Sequence, residues 1–197
     1  MDEPRSRSLP PSYFEALYAA NPDPWKFETS AYEAEKYAAT LAALPRPRYR
    51  SGFEIGCSIG VLTAQLAARC YSLLAVDVVE SALAAARRRC HALGNVRFAL
   101  MRLPDEFPPD RFDLIVLSEV GYFWTEGDLD RARQEIAAHL VPGGHLVLVH
   151  WTAPVEGFPV TGDEVHARLG RLSRRDLRHL AGRREERYRL DLFERRR

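Results

Sequence analysis

The 197-residue sequence predicts an α/β fold, a mostly parallel sheet of about six or seven strands with helices on both faces and a helical cap at the N-terminus. Three observations predict this class. After Arg50, short apolar runs alternate with helical patterns, which is typical of β-α-β units. The gaps between these runs are long enough for right-handed crossovers. The chain is 46% hydrophobic with a net charge of only +1, so one ordered core is expected and disorder is excluded as the main state.

The N-terminal part predicts an arm followed by two helices. Residues 1–11 are polar and contain three prolines. Ser12 is predicted to cap a first helix, which stops before Pro22. Ser30 begins a second helical run, which stops before Pro45 because proline cannot continue a helix.

Residues 49–197 are predicted to form the sheet and its helices. We therefore divide one structural domain into an N-terminal arm and helical cap, residues 1–48, and a Rossmann-like domain, residues 49–197. The last run, 187–193, alternates polar and apolar residues as a half-buried edge strand would. The other predicted strands are 53–57, 73–76, 96–100, 112–117 and 145–150, and the predicted helices are 61–70, 81–93 and 129–140. Residues 140–146 predict a helix-to-strand turn.

A glycine-containing loop follows the first predicted strand, where ligands bind in open parallel sheets. Gly56 and Gly60 are four residues apart. The dinucleotide fingerprint needs glycine two residues after the first, and Ser58 stands there, so that register fails. Glu54 precedes the loop, and its negative charge would repel a pyrophosphate and attract an ammonium group. The loop therefore favours a cationic, amino-acid-like ligand.

The second predicted strand ends at Asp77, whose carboxylate could accept both hydroxyls of a ribose. The alternative is that the two glycines only make a tight turn and Asp77 caps a helix. Together, Glu54-x-Gly56-x-x-x-Gly60 and Asp77 resemble motifs I and II of class I S-adenosylmethionine-dependent methyltransferases. This resemblance implies S-adenosylmethionine as cofactor and S-adenosylhomocysteine as product. It implies cofactor contacts from Glu54, Gly56, Cys57, Ser58, Gly60, Asp77, Val78, Met101, Arg102, Leu103 and Ser118. Many members have an Asp near position 101, and this chain does not.

The segment after the fourth predicted strand, Ser118-Glu119-Val120-Gly121, bears on the methyl acceptor. It lacks the Asn/Asp-Pro-Pro-aromatic tetrad of enzymes that methylate adenine or glutamine amides, and no cysteine follows a proline as cytosine C5 attack would need. We take Glu119, His150 and His166 as candidates for a base or amine anchor. Tyr122 and Trp151 are candidates for the walls of an acceptor pocket. Each of these residues could instead be structural.

A closer resemblance lies in the flanking residues. Asp23-Pro24-Trp25 and Gly56-Cys57-Ser58-Ile59-Gly60 resemble the nodulation protein S family over roughly residues 20–150. That family consists of N-methyltransferases acting on the free amine of a deacetylated chitin oligosaccharide. The resemblance implies that Trp25 and the helix from Tyr32 close over the cofactor; alternatively, Trp25 is only a core aromatic. We expect the amine of an amino sugar or another small amine as acceptor.

Other functions stay open. Residues 168–197 carry 12 Arg against five acidic residues, which could bind RNA or a protein substrate, although such a run is also typical of a solvated helix and edge strand. Small-molecule O-methylation and a nucleoside-binding module without catalysis are further alternatives. The near-zero net charge argues against a nucleic-acid partner.

The chain gives no sign of metal or membrane binding. Cys57, Cys70 and Cys90 lack ligand spacing, so no metal is expected. No stretch is apolar enough to cross a bilayer and the N-terminus has no secretory pattern. We expect a cytoplasmic protein, as a monomer or homodimer.

Overall fold

A computed structural model describes residues 7–170 and 176–197. The described chain divides into two compact units. We call residues 10–102 the N-terminal unit. Residues 103–197, joined by the segment up to Leu9, are the C-terminal unit.

The N-terminal unit begins with two helices, α1 (Pro11–Ala20) and α2 (Ala31–Ala42). The predicted Ser12 cap is wrong: Pro10 occupies the cap position and Pro11 starts the helix, because proline's fixed φ suits the first helical turn. The helical run predicted after Ser30 forms α2, and the Ser30 side chain caps it by accepting the Glu33 N–H at 3.3 Å.

Three parallel strands follow, in the order β3-β2-β1. They are β1 (Tyr49–Ile55), β2 (Cys70–Asp77) and β3 (Val96–Leu100), alternating with helices α3 (Val61–Ala67) and α4 (Glu80–Arg89). Helix α3 ends three residues earlier than predicted, because Cys70 already pairs with Tyr49 across the sheet. The interior residues of β1 and β2, such as Phe53 and Leu73, are fully buried.

One arginine links α2 to this sheet. The Arg69 guanidinium donates to the carbonyls of Leu41 (2.8 Å), Leu44 (3.3 Å), Arg46 (2.5 Å) and Pro47 (2.9 Å). These bonds satisfy carbonyls at the end of α2 and in the segment that follows it. The Leu41 carbonyl also accepts the Leu44 N–H at 3.3 Å.

The C-terminal unit contains four strands in the order β4-β5-β7-β6. Its elements are β4 (Phe112–Ser118), a 3-10 helix (Gly121–Phe123), α5 (Glu126–His139), β5 (Leu140–Trp151), α6 (Gly162–Gly170), β6 (Leu177–Arg184) and β7 (Tyr188–Arg195). Strands β4 and β5 are parallel, whereas β7 is antiparallel to both of its neighbours, β5 and β6.

Several predictions for this unit were wrong. The run 187–193 forms β7, which is an interior strand, and the edge is β6, which was not predicted. Strand β6 buries only Leu177, so it shows no apolar alternation. Residues 140–146 belong to β5, with a register shift between Phe112 and Leu114 on its partner, rather than forming a turn. Among the described residues, no helix is long and apolar enough to cross a membrane.

Candidate active site

The loop after β1 is held tightly against β2 and α4. The N–H groups of Gly56 and Cys57 both donate to the Val76 carbonyl at 2.9 Å. Gly56 (φ +77°), Ser58 (φ +50°) and Gly60 (φ +81°) have left-handed backbone, which is costly for residues other than glycine. A Cβ on Gly60 would lie 2.9 Å from the Ala86 Cβ. Glycine at this position therefore serves both the turn and the close approach of α4.

Asp77 lies beside this loop. Its carboxylate accepts the Ser58 N–H at 2.8 Å and the Val79 N–H at 3.1 Å. Burial raises the pKa of Asp77 to about 6, and the hydrogen bonds from backbone N–H groups hold it from rising further. The residue thus places a carboxylate next to the glycine loop, as the sequence predicts.

Glu54, at the end of β1, is 2% exposed. Its Oε2 has no hydrogen-bond partner within the described part of the chain. Burial raises the pKa of Glu54 to about 8; the nearby Thr63 hydroxyl lowers it and the Asp77 charge raises it. A buried carboxyl oxygen without a partner is costly, so the site suits a ligand that can donate to it.

Cys57 lies in the same loop but is not an activated nucleophile. Burial, followed by the charges of Asp77 and Glu54, raises the pKa of the Cys57 thiol well above its ordinary value. The thiol therefore stays protonated, and it donates to the Ser58 carbonyl at 3.7 Å.

Aromatic residues from the N-terminal segment pack on the loop. The Tyr18 hydroxyl lies 2.5 Å from the Ser58 Oγ. The Trp25 ring stacks on Phe27 with 5.5 Å between ring centroids and meets Tyr18 edge-on at 5.6 Å. Trp25 is partly buried against Ile59, among other residues. Sequence reasoning included Trp25 but missed Tyr18, whose only signal was its place in the first helix.

The remaining predicted cofactor residues fall into two groups. Val78 packs on the cluster around Ile59, and the Met101 N–H donates to the Asp77 carbonyl at 3.0 Å. Arg102 is exposed at the end of the N-terminal unit. Leu103 and Ser118 belong to the C-terminal unit.

In the C-terminal unit, Glu119 follows β4 with a φ of +58°, a strained value for a residue with a long side chain. Its Oε2 accepts the Tyr122 hydroxyl at 2.6 Å and the Trp151 N–H at 3.0 Å. The Tyr122 ring stacks on Phe158, 5.2 Å between centroids. The structure thus brings together Glu119, Tyr122 and Trp151 in one hydrogen-bonded group. All three were predicted to contact the methyl acceptor.

The other two predicted residues, His150 and His166, are 0% and 1% exposed. The Gly121 N–H donates to the His150 Nε2 at 3.1 Å. The His150 Nδ1 lies 3.1 Å from the His166 Nε2, and the His166 Nδ1 lies 2.6 Å from the Asp191 Oδ2. Both ring nitrogens of each histidine therefore have protein partners. Asp191 was not predicted, because nothing in the sequence links it to His166, 25 residues earlier.

The carboxylates beside the glycine loop and the strand architecture of the two units are those of a Rossmann-like methyltransferase fold. The crystal structure of N-methyltransferase NodS from Bradyrhizobium japonicum WM9, in complex with S-adenosylhomocysteine, matches with a TM-score of 0.83 and 25% identity. The match covers 93% of this chain and 97% of that one, which confirms the predicted fold class.

The Nodulation protein S (NodS) family matches residues 16–153, and the chain belongs to this family. Nodulation protein S of Rhizobium tropici is 32% identical over 129 residues, which are 64% of this chain and 53% of that protein. A dTDP-3-amino-3,6-dideoxy-alpha-D-glucopyranose N,N-dimethyltransferase of Streptomyces fradiae is 31% identical over 128 residues, 59% of this chain and 47% of that protein. The chain spans about half the length of these two curated relatives.

Proposed function

We propose that this chain is an S-adenosylmethionine-dependent N-methyltransferase whose acceptor is a small amine, with an amino sugar as the favoured class. The observation that carries the proposal is the buried, unpartnered Glu54 Oε2 beside the Asp77 carboxylate and the glycine loop. The Glu54 Oε2 suits an ammonium group, and the Asp77 carboxylate suits a diol. S-adenosylmethionine carries both of these groups. Family membership supports the same cofactor.

The residues present fit this cofactor. Glu54 would accept hydrogen bonds from the amino group and Asp77 from the ribose hydroxyls. The backbone at Gly56 would approach the ligand closely because Gly56 carries no Cβ, whereas the missing Cβ of Gly60 makes room for α4. Val78 and Met101 would flank the adenine, with Trp25 covering the loop. Arg102, Leu103 and Ser118 remain predicted contacts. When bound, the cofactor supplies a methyl group on a positively charged sulfur.

The acceptor side is proposed to be the group around Glu119. Its carboxylate is held by donors from Tyr122 and Trp151, so its orientation is fixed before any acceptor arrives. A carboxylate so placed can bind an ammonium group and take its proton, leaving the nitrogen lone pair for transfer. The Tyr122 ring and Trp151 would form walls on which a sugar ring can pack.

The names of the similar proteins support an amino sugar as the acceptor class. One is named for N,N-dimethylation of a dTDP-linked 3-amino sugar. The others are nodulation S proteins, whose family resemblance implied an amine on a sugar.

The arginine-rich C-terminal region supports the small-molecule reading over RNA. In the described part, arginines of β6 and β7 are paired with carboxylates: Arg178 with Glu194 (3.0 Å), Arg189 with Asp191 (2.7 Å) and Arg184 with Asp163. Paired guanidinium groups neutralise fewer phosphates. The cytoplasmic location and the monomer or homodimer state stay predictions.

The proposal is tested with labelled methyl transfer from S-adenosylmethionine to three acceptors that share one ring, namely glucosamine, N-acetylglucosamine and glucose. We expect label on glucosamine and none on the other two, because only glucosamine has a free amine. A panel of simple amines and phenols extends the test to other acceptors. Label on phenols with none on any amine would replace the proposal with O-methylation, and label on RNA alone would overturn the small-molecule reading.

A further inference from the structure

A chain of hydrogen bonds runs through the C-terminal unit from a backbone amide to a carboxylate. It passes from the Gly121 N–H through His150 and His166 to Asp191. Asp191 is 2% exposed and also accepts from His179 at its Oδ1 (2.7 Å) and from Arg189 at its Oδ2 (2.7 Å).

The two ends of this chain fix the direction of every bond. An amide N–H can only donate, so the His150 Nε2 must be an unprotonated acceptor. The His150 Nδ1 then carries the hydrogen and donates to the His166 Nε2. The His166 Nδ1 in turn donates to the carboxylate. Both rings are therefore neutral with hydrogen on Nδ1.

The electrostatics agree with this assignment. Burial lowers the pKa of His166 further than the Asp191 hydrogen bond and charge raise it, which keeps the ring neutral. Burial raises the pKa of Asp191, but the hydrogen bonds from His166 and His179 and the charge of Arg189 outweigh it and lower the pKa overall. Asp191 is thus an ionised acceptor.

We propose that His166 and Asp191 are positioning residues: they set the tautomer of His150, and His150 thereby fixes the Gly121 turn that carries Glu119 and Tyr122. The inference rests on the proposed function, in which Glu119 receives the acceptor. His150 is a positioning residue by the same argument, not a base, because its only acceptor nitrogen is used by the Gly121 N–H.

The packing leaves the turn little freedom to compensate. A Cβ on Gly121 would lie 2.5 Å from the Val165 Cγ1 and 3.0 Å from the His150 Nε2. The Tyr122 ring meets the His150 ring edge-on at 5.5 Å between centroids. A rotated or reprotonated His150 would therefore disturb the turn and the Tyr122 hydroxyl that orients Glu119.

The test begins with the wild-type protein, in which ¹⁵N NMR of the imidazole nitrogens reports the tautomer of each histidine. We expect His150 and His166 to be neutral with hydrogen on Nδ1 at neutral pH. A His150 protonated on Nε2, or charged, would overturn the inference. This result needs no methyl acceptor, so it stands even if the proposed function fails.

The kinetic test uses His166→Phe, with His179→Gln as the matched control. His166→Phe removes the acceptor that holds the His150 tautomer, so we expect kcat/KM for the amine to fall by roughly 10- to 100-fold. His179→Gln should keep the tautomer and the kinetics, because the His179 hydrogen bond is to Asp191 Oδ1 and not to the Oδ2 that His166 contacts. S-adenosylhomocysteine affinity should stay within about twofold in both variants, since Glu54 and Asp77 are unchanged. Unchanged amine kinetics in a folded His166→Phe protein would refute the inference.

Asp191→Asn and Asp191→Ala provide a second pair. Arg189 can only donate, so the Asn oxygen should take the Oδ2 place, keep the His166 bond and retain the tautomer. Asp191→Ala offers no acceptor, so the His150 signals should show mixed tautomers. Asp191→Asn should therefore rescue kinetics that Asp191→Ala loses, and equal behaviour of the two variants would contradict the relay.

Discussion

Replacing Glu54 by Gln separates the charge of this residue from its shape. With a pKa of about 8, Glu54 carries its proton in about nine-tenths of the empty molecules at pH 7. Binding the cationic amino group of S-adenosylhomocysteine should remove that proton. We therefore expect about 0.9 proton released per ligand at pH 7 and about 0.25 at pH 8.5.

The protonation of Glu54 also sets how much affinity for S-adenosylhomocysteine is lost in Glu54→Gln. A hydrogen bond to a charged group contributes about 1.5–3 kcal/mol, but ionising Glu54 at pH 7 costs about 1.4 kcal/mol. At pH 8.5 the ionisation cost falls to about 0.2 kcal/mol. Glu54→Gln should thus weaken S-adenosylhomocysteine binding by less than about 1.6 kcal/mol at pH 7. At pH 8.5 the loss of binding free energy should be about 1.2 kcal/mol larger than at pH 7.

Isothermal titration calorimetry in buffers with different ionisation enthalpies measures both the proton count and the affinity. Glu80→Gln is the matched control, because Glu80 lies on α4 and its exposed side chain pairs with Arg87. No proton release by the wild type, or the same pH dependence in Glu54→Gln as in the wild type, would refute the assigned role of Glu54.

The empty protein gives an independent check of the same pKa. Because the folded state raises the pKa of Glu54 from 4.5 to about 8, it binds the proton more tightly than the unfolded chain does. The tighter proton binding by Glu54 stabilises the folded state fully below pH 4.5. As the pH rises from 4.5 to 8, this stabilisation is lost, and the free energy of unfolding falls by about 1.4 kcal/mol per pH unit. Urea unfolding between pH 6 and pH 8, above the pKa of Asp77, should show this slope in the wild type and a shallower one in Glu54→Gln.

Three further substitutions test the N-terminal unit. Asp77→Ala should weaken S-adenosylhomocysteine binding by about 1–3 kcal/mol through the loss of a buried acceptor, and wild-type affinity by calorimetry would refute its role. Gly60→Ala should lower the free energy of unfolding by about 1–3 kcal/mol, since the φ of +81° and the 2.9 Å approach to Ala86 both oppose a side chain; an unchanged urea midpoint would contradict this. Arg69→Ala should lower the free energy of unfolding by about 2–4 kcal/mol in the same assay, because four carbonyls lose a charged donor. The control Arg88→Ala, at an exposed position of α4, should lower it by less than about 0.5 kcal/mol.

The sequence predicted the N-terminal unit better than the C-terminal unit, for a physical reason. Strands β1 and β2 are parallel and their interior residues are buried, so their apolar runs mark them. Strand β3, at the end of the order β3-β2-β1, was predicted with its observed bounds, Val96–Leu100. Strand β6 faces solvent along most of its length and carries arginines, so no apolar pattern marks it. An apolar pattern therefore predicts the buried strands β1 and β2 and the half-buried β3, and it misses the solvated strand β6.

The candidate site divides in the same way. The placement of Glu54, Gly60 and Asp77 close together could be predicted because all three lie in one strand-helix-strand unit, β1-α3-β2. The Asp191 contact to His166 could not, since it joins α6 to β7 and depends on the strand pairing. His150 and His166 have residue types suited to catalysis, and only the structure shows that their nitrogens face other protein groups.

The central claim is that the Glu54–Gly60 loop and Asp77 bind S-adenosylmethionine and not a dinucleotide. Calorimetric titration of the wild-type protein with S-adenosylhomocysteine, and separately with NAD, tests it most directly. We expect saturable binding of S-adenosylhomocysteine and no detectable heat from NAD at the same concentrations. Tighter binding of NAD, or no binding of S-adenosylhomocysteine by folded protein, would contradict it.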